Sequence, residues 1–92
     1  MKNNHLLERM AQAVDLGTEP IPGKSLVEIV SDCSVLIENH CGVMAYSGEC
    51  ITVKTKEGCI VVSGSRMILS KMSKELLRIN GKICTVELRR RM

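Results

Sequence analysis

His40-Cys41 is the one place in this chain where an imidazole adjoins a thiol. That is the pairing a cysteine nucleophile needs. Five cysteines (Cys33, Cys41, Cys50, Cys59 and Cys84), with His5 and His40, supply soft metal ligands. Glu38 and Glu49 are available as carboxylates. The spacing works against each possibility. Neighbours on a strand point to opposite faces, so His40 and Cys41 would meet only in a turn. No C-x-x-C pair is present, and apart from the dipeptide no two ligands have chelating spacing. Glu38 and Glu49 would form a carboxylate pair only by an accident of folding. No glycine-rich run suits a phosphate. The residues therefore predict no catalytic centre, no metal and no cofactor. His40 is expected in a turn, with its ring hydrogen-bonded to backbone.

The elements that would position these side chains announce themselves through a recurring pattern. Tyr46-Ser47-Gly48 leads into Ile51-Thr52-Val53, Val62-Ser63-Gly64 into Met67-Ile68-Leu69, and Ile79-Asn80-Gly81 into Cys84-Thr85-Val86. The glycines stand 16 and 17 residues apart, room for one β-hairpin per period. From Ser25 onward apolar residues alternate in short runs: Leu26 to Val30, Val35 to Asn39, Val43 to Tyr46, Ile51 to Thr55 and Cys59 to Val62. Lys56-Glu57-Gly58 reads as a tight turn and Lys71 to Lys74 as a polar connection. Asn80-Gly81 reads as a hairpin turn between Leu76–Ile79 and Ile83–Leu88. In the last strand Cys84, Val86 and Leu88 face one way, and Thr85, Glu87 and Arg89 the other. The fold class that follows is all-β, a small antiparallel meander folded as a roll or sandwich.

Before it, residues 1–16 predict an amphipathic helix, with Leu6, Leu7, Met10, Ala13 and Val14 at three- and four-residue spacing. A helix of about three turns is marginal alone and needs a surface to lie on. Leu6, Leu7, Met10 and Val14 are thus candidates for docking, on the chain's own sheet or on a partner. Residues 17–24 form a Pro/Gly linker, and residues 25–92 form the β-domain with a basic tail.

Composition narrows the rest. A 92-residue chain makes one domain with a small core. It has one aromatic residue, Tyr46, so six methionines and five cysteines take space that aromatics usually fill. Free thiols acting as small core hydrophobes in a reducing compartment are expected. The net charge of +3 is mild, and Arg89-Arg90-Arg91 reads as a solvated tail. No stretch predicts a membrane span or a secretory signal, which points to a cytosolic chain without direct membrane insertion.

The run Ile37-Glu38-Asn39-His40-Cys41-Gly42-Val43-Met44 resembles the signature of the YabP/YqfC family of bacterial sporulation proteins, on the YqfC side. Ile60-Val61-Val62-Ser63-Gly64 with Met67 and Leu69 is similar to a second family step. Leu77-Arg78-Ile79-Asn80-Gly81-Lys82-Ile83 with Val86 is similar to the closing one. The likeness covers about residue 15 to Leu88, and its motif residues are Ile37, Glu38, Asn39, His40, Gly42, Gly64 and Gly81. It departs at Leu88, where the family often carries an aromatic, and at Cys41, Cys50 and Cys59. The resemblance implies a protein of the mother-cell cytoplasm, held at the forespore outer membrane surface by an integral membrane sporulation protein. It brings no catalytic residue or cofactor.

The expected role is a non-enzymatic adaptor or structural module that binds such a partner, itself, or both. The alternative is an Sm-like β-roll that binds RNA. Sm-like domains place an Arg before the glycine that Gly64 would match, whereas this chain has Ser63 there and Arg66 two residues later. A single aromatic gives no stacking platform for bases, so nucleic acid is not the expected partner.

Overall fold

The computed structural model describes residues 24–91. They form six antiparallel strands: β1 (Leu26–Val30), β2 (Ser34–Glu38), β3 (Val43–Tyr46), β4 (Cys50–Lys54), β5 (Gly58–Met72) and β6 (Leu76–Arg90). The sheet order is β1-β2-β6-β5-β4-β3. The all-β antiparallel class is what the alternating pattern predicts. The amphipathic helix and nearly all of the linker lie outside the described residues.

Two strands differ from the sequence reading. β5 and β6 are each 15 residues long. Ser63-Gly64 and Asn80-Gly81, expected as hairpin turns, lie inside them. Of the three repeats, only Tyr46-Ser47-Gly48 begins a true turn. There Ser47 Oγ accepts hydrogen bonds from the N–H groups of Glu49 (3.3 Å) and Cys50 (3.0 Å). The hairpin that joins the long strands sits instead at Ser73, in the polar connection, and has the same form. Ser73 Oγ accepts from Glu75 (3.4 Å) and Leu76 (3.0 Å).

The inner two glycines bend the long strands. The β5–β6 register shifts between Ser63 and Gly64, Ser65 and Ile68, and Leu69 and Lys71. Bulges of this kind sharpen a sheet's curvature. At the bend the strands come too close for side chains. A Cβ on Gly81 would lie 2.7 Å from both Arg66 O and Met67 Cα, and Gly81 has φ +148°. A Cβ on Gly64 would overlap the Lys82 carbonyl. Tertiary approach, and no turn, is what requires glycine here.

Bending divides the sheet into two four-stranded layers. In one, β1 and β2 join the first part of β6 and the last part of β5, with Val27, Ile37 and Leu77 in register. In the other, β3 and β4 join the first part of β5 and the last part of β6. Val53, Ile60 and Leu88 share one row, and Ile51, Val62 and Val86 the next. Both layers turn their aliphatic residues to one cluster. Val35, Ile37, Leu77 and Ile79 from the first meet Ile51, Val53, Ile60 and Val62 from the second, with Met67 and Ile83 at the bend. Burying each Val, Leu or Ile contributes roughly 1.5–3 kcal/mol. Layers about 10 Å apart fit the shortest dimension of 23 Å.

The thiols are not core fillers. Cys33, Cys41, Cys50 and Cys84 are exposed, Cys59 is half-buried, and all five are free. Cys84 and Cys59 belong to strands that read as apolar, yet neither joins the core cluster. Cys59 pairs with Arg89 and Lys54, on the face opposite the Ile60 row. Cys84 occupies the register shift, opposite no residue of β5.

Candidate functional site

The family-like run folds as the crossover between the layers. β2 lies in one layer and β3 in the other, and residues 39–42 span them. Asn39 takes the left-handed conformation, φ +63°, which Asn tolerates better than most residues. Its backbone N–H donates to Glu75 O (2.7 Å). Its side chain donates to Lys24 O (2.9 Å), and its carbonyl accepts from Ser25 Oγ (3.2 Å). Cys41 N donates to Lys54 O (2.7 Å), and Lys54 N donates to Gly42 O (2.8 Å).

His40 completes the crossover. Gly42 N–H donates to His40 Nδ1 at 3.0 Å, and His40 Nε2 lies 3.0 Å from Ser73 O. An acceptor Nδ1 puts the proton of the neutral ring on Nε2, which then donates to Ser73. Both ring nitrogens are engaged by backbone. His40 therefore offers Cys41 no free ring nitrogen as a base.

The motif residues thus serve architecture. Ile37 is fully buried, Glu38 ends β2 opposite Leu76, and Asn39, His40 and Gly42 tie the layers. Gly64 lies against the backbone of Lys82 and Gly81 against that of Arg66 and Met67, at the bend and away from the crossover. Leu6, Leu7, Met10 and Val14 lie outside the described residues. Among the described residues no three His, Cys, Asp or Glu side chains are placed to hold a metal ion. Nor is any helix among them long and apolar enough to cross a membrane.

Among the described residues the opposite seam between the layers is open. Here β1 of one layer faces the last part of β6 of the other, and Val27, Thr55, Ile60 and Leu88 line a cavity of about 260 Å³ with Lys24 and Arg90 at its rim. Leu88 sits at the lip, 70% exposed, although its row-mates Ile60 and Val53 are buried. Beyond Cys84, β6 pairs with β5 on one side and with no described strand on the other.

The remaining exposed apolar side chains also follow the margins of the sheet. Leu26, Ile29 and Val30 lie on edge strand β1, and Met44 and Tyr46 on edge strand β3. Ile68 and Met72 lie on the last part of β5, beyond its pairing with β4. The hydrogen bond from Arg89 to the Glu87 carboxylate two residues earlier raises the guanidinium pKa above its ordinary value. Sequence reading finds Leu88 as part of an alternating strand, but the open edge beside it depends on which strands pair.

A family model, the YabP family, matches residues 22–91. This chain belongs to the YabP family. The match spans all six strands, the crossover and both bend glycines, and it begins after the segment that carries Leu6, Leu7, Met10 and Val14. Membership makes this a sporulation-related protein. No curated protein and no solved structure is significantly similar to it.

Proposed function

We propose that this YabP-family chain is a non-enzymatic adaptor or structural module of the YqfC type. It works by protein contact on the mother-cell side of the forespore envelope. The observation that carries this reading is the contrast between the crossover and the margins. Asn39, His40 and Gly42 of the motif are engaged in holding two layers together, whereas the sheet margins present apolar side chains and unpaired backbone. Edge strands of this kind either need protection or serve strand addition. An integral membrane protein is the expected partner, with the chain held at the outer forespore membrane through it.

The test is affinity capture of the tagged chain from nuclease-treated, detergent-solubilised membranes of sporulating cells, read by mass spectrometry. One integral membrane protein at near-stoichiometric amount supports the adaptor. Recovery of RNA in a parallel capture without nuclease, and of no protein, replaces it with the RNA-binding alternative. The Leu7→Asp/Met10→Asp variant asks whether the N-terminal segment docks on that partner. Lost capture with a folded β-domain is the expected result. Unfolding of the domain would instead make this segment part of the core.

A further inference from the structure

We infer that the last part of β6 is a self-association edge. Two copies of this chain would pair antiparallel through it, about a two-fold axis at Leu88. The inference rests on the reading above that the chain acts through protein contacts, and it names one of them.

The backbone direction comes from the ladder. Arg91 N–H donates to Glu57 O at 2.6 Å, and Cys59, Val61 and Ser63 stand opposite Arg89, Glu87 and Thr85. On the other side of β5, Thr55 N–H donates to Gly58 O at 2.9 Å and Gly64 N–H to Glu49 O at 3.0 Å, so the even residues there face β4. In an antiparallel ladder the bonding groups of successive residues alternate in direction. Residues 85, 87 and 89 therefore bond to β5, and Val86, Leu88 and Arg90 aim their N–H and C=O groups outward. At Gly81 and Ile83 the outward side is already occupied, since their N–H groups donate to Cys33 O (3.2 Å) and Asp32 O (2.7 Å). Among the described residues, the free edge starts after that point.

Side-chain charge selects the register. With Leu88 opposite Leu88 of a second copy, Val86 and Arg90 form the flanking hydrogen-bonded pairs. Glu87 then stands opposite Arg89, and Arg89 opposite Glu87. These are non-hydrogen-bonded positions, where side chains come closest. Glu87 and Arg89 already share the outer face, with Arg89 Nε donating to Glu87 Oε2 at 3.0 Å and Nη2 to Oε1 at 3.3 Å. The two-fold axis would close them into a square of alternating charge. Sliding by two residues either way sets Glu87 against Glu87 or Arg89 against Arg89, which disfavours both neighbouring registers. The favoured register also covers Leu88, the most exposed of the large apolar side chains among the described residues. It would join two four-stranded layers into one of eight.

Sedimentation equilibrium of the full chain tests this. Wild type is expected to form a concentration-dependent dimer. Glu87→Arg and Arg89→Glu each place like charges at two symmetric positions, and each should weaken the dimer by about tenfold or more. Mixed in equal amounts, the two variants should recover it, because the mixed pair sets opposite charges at both positions. Both sites are exposed, and circular dichroism should show wild-type fold in each variant. Wild type that stays monomeric to its solubility limit overturns the proposal, as do variants that dimerise like wild type or a mixture that fails to recover. Monomeric wild type that still captures a membrane protein overturns the self-pairing and leaves the adaptor standing. A dimer that captures no membrane protein does the reverse.

Discussion

His40 and Ser73 are 33 residues apart in sequence and joined by a 3.0 Å hydrogen bond from ring to backbone. With the bond from Gly42 N–H to Nδ1, this ties the strand crossover to the β5–β6 hairpin. His40→Ala removes both bonds. Each contributes roughly 0.5–1.5 kcal/mol net, so a loss of about 1–3 kcal/mol is expected. Urea unfolding should show a lower midpoint with an unchanged slope, since the surface exposed on unfolding is the same.

Gly81→Ala should be far more damaging than its size suggests. A Cβ there meets the backbone of Arg66 and Met67 at 2.7 Å, in a conformation that side chains rarely adopt. A loss of about 3 kcal/mol or more is expected, much of the stability of a domain this small. Gly48→Ala is the control, because nothing lies within 4 Å of its Cβ position. That variant should stay within about 0.5 kcal/mol of wild type. Thermal melts of the two variants side by side check the contrast.

Core and margin should separate equally well. Ile37 is fully buried between Val27 and Leu77 in register, and Ile68 is exposed. Ile37→Ala should cost about 2–5 kcal/mol. Ile68→Ala should change little, within about 0.5 kcal/mol. Denaturant midpoints of the two variants give the comparison.

Thiol labelling checks the placement of the cysteines. Cys33, Cys41, Cys50 and Cys84 should react with a small thiol reagent in the folded protein, with half-buried Cys59 slowest. Peptide mapping after timed quenching identifies each. A slow Cys84 would mean that its strand faces something other than solvent.

Much of the fold is legible from local pattern. Leu26 to Val30 alternates, punctuates at Ser31-Asp32, and forms β1 over those residues. Lys56-Glu57-Gly58 turns the chain from β4 into β5. Asn80-Gly81 misleads because the same dipeptide serves two physical needs, a tight turn and the close passage of another strand. Local sequence cannot separate them, since the strand that approaches Gly81 lies about 15 residues away, at Arg66 and Met67. The expectation of buried thiols fails for a related reason. Apolar runs show that a strand is present, but which residues face the core depends on bulges, and Cys84 falls at one. The family-like run is readable as a signature, and His40 as a turn residue, whereas the linkage to Lys24, Lys54, Ser73 and Glu75 emerges only from the folded chain. The open edge of β6 depends on pairing order and leaves no local mark.

The measurement that bears most directly on action by protein contact is site-specific photo-crosslinking in sporulating cells. A photoreactive residue replaces Leu26, Met44, Ile68 or Leu88 in turn, one on each open margin, with Ile37 as the buried control. Discrete protein adducts are expected from at least one margin position and none from Ile37. Protein adducts from no margin position, or adducts to RNA alone, would contradict action by protein contact.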